Sequence, residues 1–328
     1  MRPSLRPGAD FGGLHPTAPI RLGRVQPAAD TAGSVGAGKH PEERPQTATV
    51  PFRPLSFREL LDAPFTLLQL DIRILAASAA VLLVVGELLI AGSIGLVSHL
   101  TGGSDTGTAL AALFATLAAA WFVRLTLRGV TVTVGLARAG RMPIGLRESL
   151  RRTGARLTPL LLTQLQFTAI GVAVTGISAL FFPLTFLGGL LWFLVAYPCC
   201  LLWLAWLRAR HLAAVPVLFA EDCGAATAFA RSGLLVGNLR MRRAGLWICQ
   251  RLLFTILVAP LLGLLLFVGD ISGTHRWAFL VLATSAGLLL TAFAEVVESS
   301  ARVVGYLDLR CRREGADIRI PVPAGGRR

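Results

Sequence analysis

The stretch WAFLVLATSAGLLLTAFA, Trp277 to Ala294, carries no charge and runs without a turn signal into EVVESSARVVGYLDLRCRRE, Glu295 to Glu314. Its length and composition predict a membrane-crossing helix. The charged continuation predicts that this helix leaves the bilayer on a strongly basic side. Composition agrees with that reading. The 328-residue chain is 54% hydrophobic, has a mean hydropathy of +0.66 and is only 15% charged, against roughly a quarter in soluble domains. A soluble core cannot absorb that much apolar surface. The expected fold class is therefore an all-α polytopic membrane protein with six transmembrane helices, short interfacial amphipathic helices and a disordered N-terminal tail.

Upstream of that helix, five more apolar runs are long enough to span a bilayer. They are Ile74 to Val97, Ala109 to Leu136, Pro159 to Phe182, Leu184 to Leu207 and Ala244 to Val268. Pro183 marks a short turn, and Pro198 and Pro260 are candidate breaks or bends. Ser56 and Glu59 have the spacing of a capping box, so an interfacial helix is expected to start there, with Pro64 bending it. GRMPIGLRESLRRTGARL is a second amphipathic segment, and Ala225 to Val236 a third. Units beginning near Phe57, Gly145 and Gly224 share one layout, an amphipathic helix followed by a hairpin of two spans, which suggests a threefold repeat. Gly86, Ala91, Gly95, Gly171 and Gly176 suit close helix approach.

Lys and Arg total 32 against 18 Asp and Glu, a net charge of +14. Nine lie before the first span, eight between Arg124 and the third, seven between Arg208 and Arg251, and seven from Arg302 onward. Arg276 alone falls on the other side. The positive-inside rule then places both termini in the cytoplasm, since 31 of the 32 share one side. The excess of Arg over Lys, 31 to 1, reads as the base composition of a GC-rich bacterium, so the expected location is a bacterial plasma membrane. Clustered between apolar runs, this charge points to anionic lipid headgroups at the basic loops rather than to nucleic acid.

The domain reading is a Pro-, Gly- and Arg-rich cytoplasmic tail over 1–55, a transmembrane domain over 56–309 and a basic cytoplasmic tail over 310–328. Nine of the eighteen prolines lie in the first segment, which has too little apolar surface to order itself. Within it, GSVGAGKH (Gly33 to His40) matches the start of a phosphate-binding loop. Pro41 follows, no strand precedes, and His40 stands where Ser or Thr would hold magnesium, so it reads as a chance match in a linker.

Polar groups inside the apolar runs are the candidate intramembrane site. Glu87 lies 13 residues into the first span, about 20 Å from its basic end. An ionised carboxylate there is costly, so it is protonated, paired or faces a polar cavity. Arg124 is the natural partner by charge, but its depth on the second span sets it apart. Arg124, Arg128, Gln164, Gln250, Arg251, Glu295, Glu298 and Arg302 share a level within three turns of the basic boundary. Glu298 and Arg302, at i and i+4, are spaced to pair. Two readings stand for this level: arginines that snorkel toward water, or a polar pocket that holds an anionic headgroup or solute.

Catalysis finds no support. His15, His40, His99, His211 and His275 are scattered without metal spacing, no G-x-S-x-G elbow occurs, and Glu221 and Asp222 stand at a connection. Cys199, Cys200, Cys223, Cys249 and Cys311 lack zinc or disulfide spacing and read as small apolar fillers. No cofactor and no metal are expected.

RPLSFRELLDAPFTLL (Arg53 to Leu68), ARSGLLVGN (Ala230 to Asn238) and YLDLRCRREGADIRI (Tyr306 to Ile320) together resemble the glycerophosphoryl diester phosphodiesterase membrane-domain family. The likeness covers roughly residues 53–320. Its most specific part is the terminal pattern of Asp308, Arg310, Arg312, Arg313, Glu314, Gly315 and Asp317, while Gly233 departs from the expected Arg-Ser-Trp. The resemblance implies a stand-alone membrane part without the catalytic barrel, because no soluble segment here exceeds 55 residues. The same charges read alone predict a self-paired juxtamembrane segment. The functional expectation is a non-enzymatic scaffold or accessory subunit of envelope machinery, with a membrane or cytoplasmic protein partner. The alternative is a permease or lipid-handling protein with a cytoplasm-facing polar pocket.

Overall fold

The computed structural model describes residues 53–180, 188–189, 192–272 and 276–315. Residues 1–52 of the tail expected to be disordered, the GSVGAGKH segment, the turn at Pro183 and Asp317 lie outside the described residues, whereas Leu55, at the end of that expected tail, is buried in the core. Described in chain order are α1 (Phe57–Leu70), α2 (Ile72–Leu100), α3 (Asp105–Ala139), α4 (Leu146–Ala155) and α5 (Leu157–Leu180). A π-helical turn, Trp192–Ala196, then leads into α6 (Tyr197–Arg210). After it come α7 (Ala214–Ala220), α8 (Ala225–Val236), α9 (Arg240–Ser272) and α10 (Arg276–Glu314). The described residues contain no strand. Six helical stretches are long and apolar enough to cross a membrane: Ile72–Leu100, Asp105–Ala139, Leu157–Ile177, Leu194–Ala220, Ala225–Leu261 and Phe279–Glu314. The protein is a multi-pass integral membrane protein.

The long helices are built in two levels. At one level their large apolar side chains face outward: Leu110, Leu113, Phe114, Leu117 and Phe122 on α3, and Val281, Leu289 and Phe293 on α10, are exposed. This is the lipid-facing band. Past Phe122 and Phe293 the same helices become enclosed. Val123, Leu127 and Val130 of α3 are buried, as are Val296, Val303, Val304, Tyr306 and Leu309 of α10. With 39 residues, α10 is about 58 Å long, close to twice the bilayer's hydrocarbon thickness. What encloses the far half is a collar of short helices. Leu55, Leu60 and Leu67 from the α1 region join Val215, Val217 and Leu218 of α7 and Ala228, Leu235 and Val236 of α8 around Val132, Val303 and Tyr306.

Local sequence explains the collar's entry points. Ser56 caps α1: its hydroxyl accepts from the Glu59 amide at 3.3 Å, and Glu59 accepts from the Ser56 amide at 2.7 Å. Those bonds, the backbone one foremost, hold the Glu59 carboxyl below its usual range. Helices α1, α4 and α8 all begin from an extended residue, Ser56 (ψ 168°), Gly145 (ψ 170°) and Gly224 (ψ 167°). The first two then join their long helix through one residue of matching geometry, Asp71 (φ −121°, ψ 21°) and Arg156 (φ −114°, ψ 22°). The third departs through Gly237 at φ +41°. The recurring layout is thus one of backbone geometry more than of residue identity.

Several expectations are corrected. Between the apolar runs ending at Leu207 and starting at Ala244, where the sequence predicts only the Ala225 to Val236 helix, the chain also forms α7, and Ala214, Val215, Val217 and Leu218 are buried. Its run AVPVLFA carries no charge and belongs to the collar core. Helix α9 is not broken at Pro260, which lies inside it, and Pro198 stands where the π-helical turn Trp192–Ala196 gives way to α6. Among the glycines expected at helix contacts, Gly86 has Leu288 Cδ1 at 3.1 Å from where a Cβ would stand, whereas nothing lies within 4 Å at Gly95 or Gly176.

One carboxylate ties the entry to α1 to the last described helix. Asp308 accepts the Leu55 amide at 2.7 Å and also bonds Arg243 and, at 3.0 Å, Arg312. Arg242 and Arg312 donate to the Leu55 carbonyl at 2.7 and 2.6 Å. Arg243 is 1% exposed, so Asp308→Ala strands a buried cation and should cost about 3–5 kcal/mol, against about 1 kcal/mol for Ser56→Ala. Thermal unfolding in detergent measures both. On α4, hydrogen bonds from Arg151 and Arg152 hold the Glu148 carboxyl at about 2. A depressed carboxylate contributes above its unfolded pKa and loses that contribution as pH falls through the folded one. Amide protection in α4, taken relative to the intrinsic exchange rate at each pH, should therefore be flat from pH 8 to 5 and decline as pH falls from about 4.5 to about 2.

Candidate functional site

Where the lipid-facing band meets the collar, α3 and α10 bring their charges together. Glu295 is 1% exposed and receives three arginines. Arg128 forms a fork on it through Nε at 2.7 Å and Nη2 at 3.0 Å, Arg124 Nε stands at 2.9 Å and Arg302 Nη1 at 3.1 Å. Ser299, one turn on, donates to it at 3.0 Å. Glu298 takes Arg302 at 2.5 Å and Arg251 of α9 at 2.7 Å, with Arg124 at 3.6 Å. The remaining nitrogen of Arg128 bonds the Gln164 side-chain oxygen from α5. Helical spacing makes this possible: Arg124 and Arg128 lie one turn apart on α3, as do Glu295, Ser299 and Arg302 within two turns of α10. Phe167 covers the site, its ring centroid 5.5 Å from the Arg128 guanidinium and 5.6 Å from that of Arg302.

This geometry corrects the snorkelling reading for Arg128 and Arg302. Both are buried and point at carboxylates rather than toward water. Arg124 and Arg251 are intermediate, their side chains 30% and 31% exposed. Gln250 is buried on α9, and among the described residues no hydrogen bond ties it to the cluster.

Glu87 stands apart. Its Oε2 accepts from Thr284 of α10 at 3.4 Å, and its buried Oε1 has no partner. It belongs to the band, away from Arg124, as depth along the helices required. The terminal pattern lies at the other end of α10 and ties down the collar. Arg310 pairs with Glu314 at 2.8 Å, and Glu314 also bonds Arg231 of α8. Gly315, at φ +60°, closes the helix with a conformation that glycine adopts without strain. Arg313 packs against Gly237, where a Cβ would collide with its guanidinium.

Beside the ion cluster lies a cavity of about 760 Å³ between α3, α5, α6 and α10. Arg124, Arg128, Arg302 and Gln164 line its collar end, joined by Arg208 of α6. Toward the band its wall is Leu117, Val172 and Gly176, and Leu117 and Val172 are 58% and 66% exposed. Trp121 and Thr168, hydrogen-bonded at 3.0 Å, stand between. Leu117 to Arg128 covers 11 residues of α3, about 17 Å. The cavity is therefore graded along its length, cationic at one end and apolar at the other.

Arg208 is the site residue that sequence reading missed. In the run WLRARH it looks like any basic residue ending a span. Its Nε is buried without a hydrogen-bond partner. Among the described residues it makes no ion pair, and its guanidinium lies 5.5 Å from the Trp247 ring centroid. Gly171 keeps room for it, since a Cβ there would stand 3.1 Å from Arg208 Nη2. The described residues hold no His, Cys, Asp and Glu grouping suited to a metal ion.

If Glu295 holds this level together, Glu295→Gln leaves Arg128 buried without its counter-charge and should cost about 3–5 kcal/mol. The double replacement Arg128→Met with Glu295→Leu should recover much of that loss, because neither charge is then buried alone. Unfolding midpoints in detergent decide it.

No family model, no curated protein and no solved structure matches the chain.

Proposed function

We propose that this protein holds an anionic amphiphile, a lipid or lipid-like molecule, in the graded cavity. The observation that carries the reading is a charge imbalance. Arg124, Arg128, Arg208, Arg251 and Arg302 gather around only Glu295 and Glu298. Three positive charges are left over in a partly desolvated place, where an uncompensated cation is costly. An anionic head at the arginine end offsets that excess, and its apolar tail lies along Leu117, Val172 and Gly176. The cavity does not include Glu87, so the reading is retention of the molecule rather than its passage across the membrane. No catalytic role is proposed.

With the collar cytoplasmic, as the positive-inside count places it, the arginines sit at the headgroup level of the inner leaflet of a bacterial plasma membrane. Kinship with the glycerophosphoryl diester phosphodiesterase membrane-domain family stays part of this proposal. The charges that carry it, Asp308 and Glu314 above all, fasten the collar rather than line the cavity. A second reading, an accessory subunit, draws on the exposed arginines of α4, Arg147, Arg151 and Arg152, which offer a face to an acidic partner.

Native mass spectrometry after gentle extraction tests both. The wild type should carry an anionic amphiphile. Gly176→Leu, at a wall position with nothing within 4 Å, should lose it, with an unfolding midpoint equal to that of the delipidated wild type. A wild type that carries a second protein and no amphiphile would reverse the order of the two readings.

A further inference from the structure

The arginines of the cavity are not equivalent. Arg128 commits all three guanidinium nitrogens, two to Glu295 and one to Gln164. It is a strut: three of its five N–H donors are spent on Glu295 and Gln164, and those bonds fix its position. Arg302 divides its terminal nitrogens between Glu295 and Glu298. Arg208 lines the same cavity, makes no ion pair among the described residues and has a buried Nε without a hydrogen-bond partner. Gln164 uses its carbonyl oxygen on Arg128, which leaves its amide nitrogen as a donor on the cavity wall. The unspent donors thus form a fork and an amide beside an excess of three positive charges.

A phosphodiester head carries a single negative charge and would leave two of those three uncompensated. A phosphate monoester carries about −1.5 to −2 at pH 7 and presents three acceptor oxygens. A guanidinium fork binds two such oxygens at once. We infer that the cavity is a phosphate-monoester site, with Arg208 and the Gln164 amide binding the terminal oxygens that a diester lacks. This rests on the amphiphile reading above and narrows it to one head chemistry. Arg208 is then the residue that sets specificity, while Arg128 and Glu295 hold the site open.

The test uses the full chain in detergent. Native mass spectrometry is run with equimolar phosphatidate, phosphatidylglycerol and cardiolipin, and unfolding midpoints are measured with inorganic phosphate alone. The wild type should retain phosphatidate about tenfold over phosphatidylglycerol, the scale of one charge-assisted hydrogen bond. Arg208→Gln should bring that ratio near one, and Arg147→Gln, on the exposed face of α4, should leave it alone. Arg208→Lys keeps the charge without the fork and should fall between, which keeps the test open if the Gln variant does not fold. Equal retention of phosphatidate and phosphatidylglycerol by the wild type sinks the monoester assignment and leaves the amphiphile reading standing. Cardiolipin held as well as phosphatidate sinks it too, because charge count alone then decides. Retention of no lipid, together with no shift by inorganic phosphate, removes both readings. A midpoint raised by inorganic phosphate with no lipid retained supports the monoester site and assigns it to a soluble ligand.

Discussion

The carboxylate of Glu295 is the point on which the described architecture turns. It sits at the level where α3 and α10 pass from lipid-facing to enclosed, and it receives Arg124, Arg128 and Arg302 there. Any one of these charges alone at that depth would be costly; together they satisfy one another. The cluster also joins α3, α5 and α10, because Arg128 bonds Gln164 and Glu295 at once. The cavity beside it is walled by those helices and α6.

Two different solvents act on the same helices, and that explains the rest of the fold. In the band, lipid covers Leu110, Phe114, Leu289 and Phe293, so these side chains need no protein partner. In the collar the helices stay apolar and protein supplies the cover. The short helices do so with Leu60, Leu67, Val217 and Leu235. Gly129 lets the cover come close, since a Cβ there would collide with the Thr153 methyl. Asp308 completes it by binding both the entry to α1 and Arg243.

Much of this was legible beforehand. Apolar runs interrupted by basic clusters gave six spans and the one level at which the polar groups gather. Ser56 and Glu59 gave the start of α1, and the Glu298 and Arg302 spacing gave one ion pair. Less legible was α7, because AVPVLFA is too short for helix periodicity and contains Pro216. Arg208 was hidden among topology-setting arginines, as nothing in its neighbourhood separates a basic residue that meets water from one that faces a cavity.

The sequence by itself determined the class, the number of apolar spans and the level at which polar groups collect, because hydropathy and charge act locally along the chain. Only the tertiary structure decided which arginine meets which carboxylate, that Glu87 stays with Thr284, and that Arg208 is left beside a cavity. Those outcomes depend on the azimuth and spacing of helices distant in sequence, and a single strand of letters holds no term for either.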